Sequence, residues 1–158
     1  MPFFQVLLLA FLIGGVSGLR TFTGPATTAW GAHLRWLGVS NSLFAWMSSI
    51  AAVAVFTLLA LLELVMDKLP STPSRLRPAG LIGRTISGAL CGGCLAYAGG
   101  QSPLLGAVAG IAGAIAGAFA GNRIRASLVK ALKVPDFVIA LLEDAVAISS
   151  GLFIVSRF

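Results

Sequence analysis

Apolar segments long enough to cross a membrane are the feature that most constrains this chain. A transmembrane helix needs about 20 consecutive, mainly apolar residues. Hydrophobic residues make up 58% of the 158-residue chain and charged residues only 10%, which lies outside the range of soluble globular domains. The sequence therefore predicts an all-α integral membrane protein in a single domain, residues 1–158, with about five transmembrane helices. The five predicted spans are residues 3–19, 43–66, 81–100, 104–121 and 136–156.

A polar segment follows the first predicted span. Residues 18–30, GLRTFTGPATTAW, contain one arginine, four threonines, two glycines and one proline. This composition makes residues 20–41 a poor lipid-facing helix, and such backbone is tolerated at membrane depth only when it is buried in protein or lines a cavity. The sequence predicts a re-entrant or broken segment here, and a complete crossing is the alternative.

Basic residues predict the orientation. With five spans, the basic loops at 67–80 and 122–135 fall on the same side, which the positive-inside rule makes cytoplasmic. The N-terminus is then cytoplasmic too, or outside if residues 20–41 cross. The net charge of +6 in short segments fits anionic lipid headgroups and argues against nucleic acid. Residues 122–133 suit an interfacial amphipathic helix. The lipid-headgroup candidates are Arg75, Arg77, Arg123, Arg125, Lys130 and Lys133.

Glycines recur along the fourth predicted span. Their spacings of four, three, four and four residues place them on one stripe of a helix, where another backbone can approach closely. The partner is either another span of the same chain or a second subunit. Because five short spans make a thin bundle, we expect a homodimer. The predicted packing residues are Gly106, Gly110, Gly113, Gly117 and Gly121.

All five acidic residues lie within the predicted spans or at their ends. A charged side chain at membrane depth is costly and is normally paired or turned towards a cavity. We therefore expect the arginines near the spans to meet these carboxylates, either as a binding site or as structural ion pairs that fix the register of the helices. The candidate ion- or solute-binding residues are Arg20, Thr21, Thr23, Glu63, Asp67, Arg84, Thr85, Glu143 and Asp144.

Two short sequences occur twice in the same order. Residues 60–63 and 140–143 both read ALLE, and RTFTG at 20–24 is echoed by RTISG at 84–88. Repeated halves are common in membrane transporters. The echoes suggest an internal duplication with halves of about 1–70 and 77–158.

The two cysteines and the histidine give little indication of a chemical role. Cys91 and Cys94 have the spacing of a redox pair, but the small residues around them already explain this segment by close packing. The only histidine, His33, lies between two tryptophans, as is typical of a membrane interface. No His, Asp and Glu cluster has metal-ligand spacing. The sequence predicts no metal, no cofactor and no catalytic residue.

The motifs GLRTFTGPA, ELVMDKLPSTPSR, GRTISGALCG and VPDFVIALLEDAVAI together resemble a family of small bacterial multi-pass membrane proteins classified as a domain of unknown function. The resemblance covers nearly the whole chain. It implies an inner-membrane protein but no activity. The positions that match the family pattern are Arg20, Thr21, Pro25, Glu63, Asp67, Lys68, Pro70, Glu143 and Asp144.

Three functions are compatible with these patterns. The first is a small transporter or channel for an ion or small solute, because broken backbone beside intramembrane charges builds such sites. The alternative is a non-catalytic structural or lipid-organising protein, which needs only the glycine stripe and the basic surfaces. A membrane-embedded enzyme acting on lipid phosphates is the second alternative. The sequence favours transport without catalysis and leaves the choice between cation and anion open.

Overall fold

A computed structural model describes residues 1–67, 77–132 and 135–158, and these residues form six α-helices. The predicted all-α membrane fold is confirmed. Three of the helices, α4 to α6, are long and apolar enough to cross a membrane, and α1 and α3 are shorter apolar helices. The helices are α1 (Phe3–Leu19), α2 (Thr23–His33), α3 (Ile50–Met66), α4 (Pro78–Ala98), α5 (Pro103–Leu132) and α6 (Asp136–Val155), with a short 3-10 helix (Ala45–Ser48) before α3.

Helix α5 is longer than the predicted span at 104–121. It has 30 residues, which correspond to about 45 Å, against a hydrocarbon thickness of about 30 Å. The residues from 122 onwards continue this helix because Arg, Ala, Leu and Lys are good helix formers and the next proline is Pro135. The segment predicted as a separate interfacial helix is thus the projecting end of α5.

The polar segment after α1 contains a regular helix, α2. Thr23, Thr27 and Thr28 are buried, and the Thr27 hydroxyl donates to the carbonyl oxygens of Thr23 and Gly24, both at 3.0 Å. Such bonds satisfy a hydroxyl within its own helix. Pro25 lies in the first turn, where its missing N–H breaks no helical bond. A helix with this composition forms because it packs against protein rather than lipid.

Helices α1, α4 and α5 pack together through an uncharged core of glycine contacts. A Cβ added at Gly110 would lie 2.8 Å from the carbonyl carbon of Gly88 in α4. A Cβ at Gly113 would lie 2.8 Å from the carbonyl carbon of Phe11 in α1. The stripe on α5 therefore contacts two helices of its own chain. Gly106 faces Gly92 of α4, Gly117 faces Gly15 of α1, and Gly121 is buried. The homodimer stays a prediction.

The chain direction follows from contacts between α2 and α6. Added Cβ atoms at Gly151 and Gly31 would lie within 2.8 Å of Thr27 and 3.0 Å of Val155, respectively, so α2 and α6 run in parallel. Val6 and Phe158 both flank Gly99, which places the two termini at one end of the bundle. This is the arrangement expected when residues 20–41 cross, and it differs from the five-span orientation of the N-terminus.

The other end of the bundle, here the charged end, holds the last residues of α1, α3 and α5 and the first residues of α4 and α6. The echoed motifs occupy different positions in their helices. Arg20 follows the last residue of α1, whereas Arg84 lies within α4. Glu63 is near the end of α3, and Glu143 is in the first half of α6. The internal duplication stays a prediction.

Candidate functional site

Arg20 is the centre of the candidate site. Its side chain is 0% exposed, although it follows directly on α1. Its Nη1 pairs with Oδ2 of Asp67, the C-cap residue of α3, and its Nη2 lies 2.6 Å from Oδ1 of Asp144 in α6. One guanidinium group therefore joins α1, α3 and α6 through two carboxylates.

Glu63 occupies the N-terminal end of α2. Its Oε1 accepts a hydrogen bond from the Thr21 backbone N–H at 2.7 Å, and its Oε2 accepts one from the Phe22 N–H at 2.9 Å. Helix N-termini carry a partial positive charge and free N–H groups that bind anions. Nη2 of Arg84 lies 3.9 Å from Oε1 of the same carboxylate. A glutamate of this chain thus fills the anion site of α2.

These five side chains form what we call the Arg20 cluster: Arg20, Glu63, Asp67, Arg84 and Asp144. It lies inside the bundle rather than at its tip. Arg84 is six residues after the first residue of α4, Pro78, and Asp144 is eight residues after the first residue of α6, Asp136. At about 1.5 Å per residue, these offsets place the two side chains about 9 and 12 Å along their helices.

A second ion-paired group, the Arg125 cluster, consists of Arg125, Asp136 and Glu143. The Arg125 Nε and Nη2 atoms donate to the two carboxylate oxygens of Asp136 at 2.9 and 2.5 Å. Its Nη1 lies 3.6 Å from Oε2 of Glu143. The Asp136 side chain is 59% exposed, whereas those of Arg125 and Glu143 are 16% and 10% exposed, so this cluster reaches the surface of the charged end through Asp136. Glu143 and Asp144 are neighbours in sequence, yet they serve different clusters.

The remaining predicted binding residues lie outside both clusters or contribute only backbone. Thr21 contributes its N–H to Glu63. Thr23 lines an apolar groove between helices. Thr85 donates to the Ile82 carbonyl oxygen of its own helix at 2.9 Å.

The lipid-headgroup candidates are found in three situations. Arg77, Arg123 and Lys130 are exposed, so their charges can reach headgroups. Arg125 is engaged by two carboxylates. Arg75 and Lys133 lie outside the described residues.

Sequence reasoning missed two participants. The Phe22 N–H binds Glu63 because it precedes α2, and its role could be expected only if residues 23–33 were predicted as a helix. Arg125 pairs with Asp136 and Glu143 instead of remaining free for lipid. The signal for that pair was present, since Arg125 lies about two turns before the end of the predicted interfacial helix, residues 122–133, and Asp136 begins the next predicted span.

Metal-binding and thiol groups are not part of the site. Among the described residues, no group of three or more His, Cys, Asp and Glu side chains could hold a metal ion. Cys91 and Cys94 are free thiols buried in the core. Nδ1 of His33 lies 2.9 Å from the Ser48 carbonyl oxygen, at the end of the bundle away from the Arg20 cluster.

Comparison with known proteins places the chain in a family without an assigned activity. A family described only as a domain of unknown function matches residues 7–156, which confirms the resemblance carried by the sequence motifs. No curated protein and no solved structure matches the chain.

Proposed function

The chain belongs to this family, DUF4126, and for this member we propose transport of protons or other small cations across the membrane through the Arg20 cluster. The observation that carries the proposal is a fully buried Arg20 paired with carboxylates of two different helices. Ionisable side chains within a membrane domain are costly and characteristically mark ion pathways and proton relays. The burial of this network supports a site rather than a surface contact.

The composition of the cluster supports a cation over an anion. Two carboxylates, Asp67 and Asp144, share the one guanidinium group of Arg20. A carboxylate that exchanges a guanidinium contact for a proton or a small cation remains neutralised, so uptake needs no additional counter-charge. An anionic solute would approach three carboxylates, and the N-terminus of α2 already binds Glu63.

Helix α3 supports a mechanism in which the cluster opens. Asp67 lies at the end of α3 and is 18% exposed, against 8% for Asp144, so Asp67 is the entry residue and Asp144 the inner one. Only Ala52 and Val53 of α3 are buried, and the helix packs mainly on α2. Protonation of Asp67 weakens its ion pair with Arg20 and releases the end of α3. Asp144 is then exposed to the next proton or small cation.

Proton flux into liposomes tests the proposal. Purified protein is reconstituted with an internal pH-sensitive dye, and a pH gradient is imposed with a potassium potential to compensate charge. We expect flux above protein-free liposomes, and we expect Asp67→Asn and Asp144→Asn to reduce it to that background. Glu143→Gln, on the same helix but in the Arg125 cluster, is the matched control and should retain flux. Wild-type flux equal to that of empty liposomes for protons, sodium and potassium would refute transport.

A non-catalytic structural protein is the second candidate. The glycine contacts of α1, α4 and α5 favour it, because a rigid core and buried ion pairs can serve packing alone. It predicts that Gly113→Leu disrupts the folded protein, whereas the wild type and Asp144→Asn alike show every flux at background. Neither candidate function includes a chemical step. Polyprenyl and glycerolipid phosphates should therefore remain unchanged when they are incubated with the protein and a divalent metal.

Anionic lipids and a second subunit are the proposed partners. The exposed charges of Arg77, Arg123 and Lys130 at the charged end support contact with headgroups, since each nearby basic residue adds about 1 kcal/mol of attraction to an anionic leaflet. We propose that this end faces the cytoplasm at a bacterial inner membrane. Replacing Arg123 and Lys130 by Gln should lower the anionic lipid that co-purifies. Light scattering measures the mass of the protein in detergent and so tests the proposed homodimer.

A further inference from the structure

A stripe of buried polar side chains runs along α4 from the Arg20 cluster into the bundle. Its members follow Arg84 at spacings of three, four and three residues, which place them on one face of the helix. All of them are buried. Cys94 lies ten residues beyond Arg84, so the stripe extends about 15 Å further from the charged end. We call it the α4 stripe: Arg84, Ser87, Cys91 and Cys94.

The α4 stripe faces α1 and α2 rather than α5. The hydroxyls of Ser17 in α1 and Thr28 in α2 lie beside the Cys91 thiol. The close packing of α4 on α5 depends on other residues, since Gly88 and Gly92 are the ones that meet the α5 backbone. Glycine packing therefore does not account for the polar side chains on the neighbouring face of α4.

Thr28 carries a buried hydroxyl that is not satisfied. It is 0% exposed, and among the described residues it has no hydrogen-bond partner. The adjacent Thr27 hydroxyl, in contrast, donates to carbonyl oxygens of its own helix. Ser17 donates to the Ile13 carbonyl oxygen at 3.2 Å, and its oxygen can still accept. An unsatisfied buried hydroxyl costs about 1–3 kcal/mol, and in a folded protein it indicates a place for water, an ion or a functional group.

These side chains suit a proton better than a metal cation. A hydroxyl both donates and accepts hydrogen bonds. It can therefore take a proton on its oxygen while its own proton passes to the next acceptor, and it is neutral before and after the transfer. Hard cations such as magnesium and calcium take about six or more oxygen ligands. Ser17 and Thr28 supply two oxygen atoms, and Cys91 supplies sulfur, which suits soft metals instead.

The path across the membrane extends beyond the Arg20 cluster. Asp144 lies about 12 Å along α6, whereas the hydrocarbon layer is about 30 Å thick. We propose that the transported ion is a proton and that Ser17, Thr28 and Cys91 relay it between Asp144 and the opposite end of the bundle. Protonated Asp144 gives up its proton and returns to a carboxylate that pairs with Arg20, water molecules link the relay side chains, and water at the far end accepts the proton. This inference rests on the proposed transport and adds its substrate and inner path.

Substitutions at Thr28 test the relay in the liposome assay for proton flux. Thr28→Val replaces the hydroxyl by a methyl group, and we expect proton flux to be lost. Thr28→Ser keeps the hydroxyl and should retain flux. Thr27→Val is the matched control and should also retain flux, because that hydroxyl is bonded within α2. The unfolding midpoint of Thr28→Val should be unchanged or higher, since an unsatisfied buried hydroxyl is removed. A lower midpoint would assign Thr28 to packing and overturn the relay.

Cys91 provides a second pair of variants. Cys91→Ser keeps a donor and an acceptor and should retain proton flux, whereas Cys91→Ala should lose it. Proton flux that survives in Thr28→Val or in Cys91→Ala overturns the relay and leaves transport through Asp67 and Asp144 standing. Sodium or potassium flux through the wild type would overturn the assignment of the proton while supporting cation transport. A wild type without any flux would refute the proposed function and the relay together.

Discussion

The Arg20 and Arg125 clusters have similar chemistry in different environments. Each arginine pairs with two carboxylates at the charged end of the bundle, but Arg20 is 0% exposed whereas Arg125 is 16% exposed beside an Asp136 that is 59% exposed. Removing a buried partner leaves charges that water cannot solvate, whereas an exposed pair is replaced by water at little cost. The same kind of ion pair therefore forms a candidate intramembrane site around Arg20 and a surface contact between Arg125 and Asp136.

The largest expected effect comes from removing the buried arginine. Arg20→Ala leaves Asp67 and Asp144 without their shared partner, and we expect a loss of about 3–5 kcal/mol in the free energy of unfolding. Denaturant unfolding in detergent micelles measures it. Arg123→Ala, at an exposed position of α5, is the control and should be close to neutral. Equal stability of the two variants would remove the distinction between buried and exposed arginines.

The second largest effect is expected in the uncharged core of α1, α4 and α5. It tests whether the stability of the protein depends on the ion pairs alone. In Gly110→Ala the new methyl group meets the backbone of Gly88, and overpacking of this kind costs about 1–3 kcal/mol. Gly38→Ala is the matched control, because a Cβ there meets nothing within 4 Å. The unfolding midpoints of both variants are compared by circular dichroism. A neutral Gly110→Ala would show that α1, α4 and α5 can separate without cost.

Double-mutant cycles compare the two clusters pair by pair. For Arg20 and Asp144, which lie 2.6 Å apart in a buried setting, we expect a coupling energy towards the upper part of the range of about 0.5–3 kcal/mol for residues in one network. For Arg125 and Glu143, at 3.6 Å, we expect a value towards the lower part. The cycles use Ala and Asn or Gln variants measured by the same unfolding assay. A larger coupling in the second pair would contradict the ranking.

The smallest effect belongs to the surface cluster. Arg125→Ala should cost less than Arg20→Ala, with about 1 kcal/mol for the pair with Asp136, which is 59% exposed, and the contribution of that pair should shrink as salt is raised, because ions screen exposed pairs. Unfolding at low and high sodium chloride checks this. A salt-independent loss of several kcal/mol would mean that the Arg125 cluster is buried in the functional assembly, for instance by a partner subunit.

The sequence predicted which residues form the site better than it predicted which residues they contact. The apolar spans, the glycine stripe and the set of charged candidates could all be read from composition and spacing. Helix α2 could not, because its threonines lower the hydropathy that identifies a span, and only their burial against α6 and their internal hydrogen bonds make the helix favourable. The N–H groups that bind Glu63 were missed for the same reason.

The sequence by itself determined that this is an all-α membrane protein with charges at unusual depth, because a lipid environment selects apolar composition over whole segments. Only the tertiary structure decided which arginine meets which carboxylate. Glu143 and Asp144 are adjacent, yet successive residues of a helix point about 100° apart, so one reaches Arg125 and the other Arg20. Pairing depends on the rotation and depth of each helix, and these are set by packing contacts far along the chain.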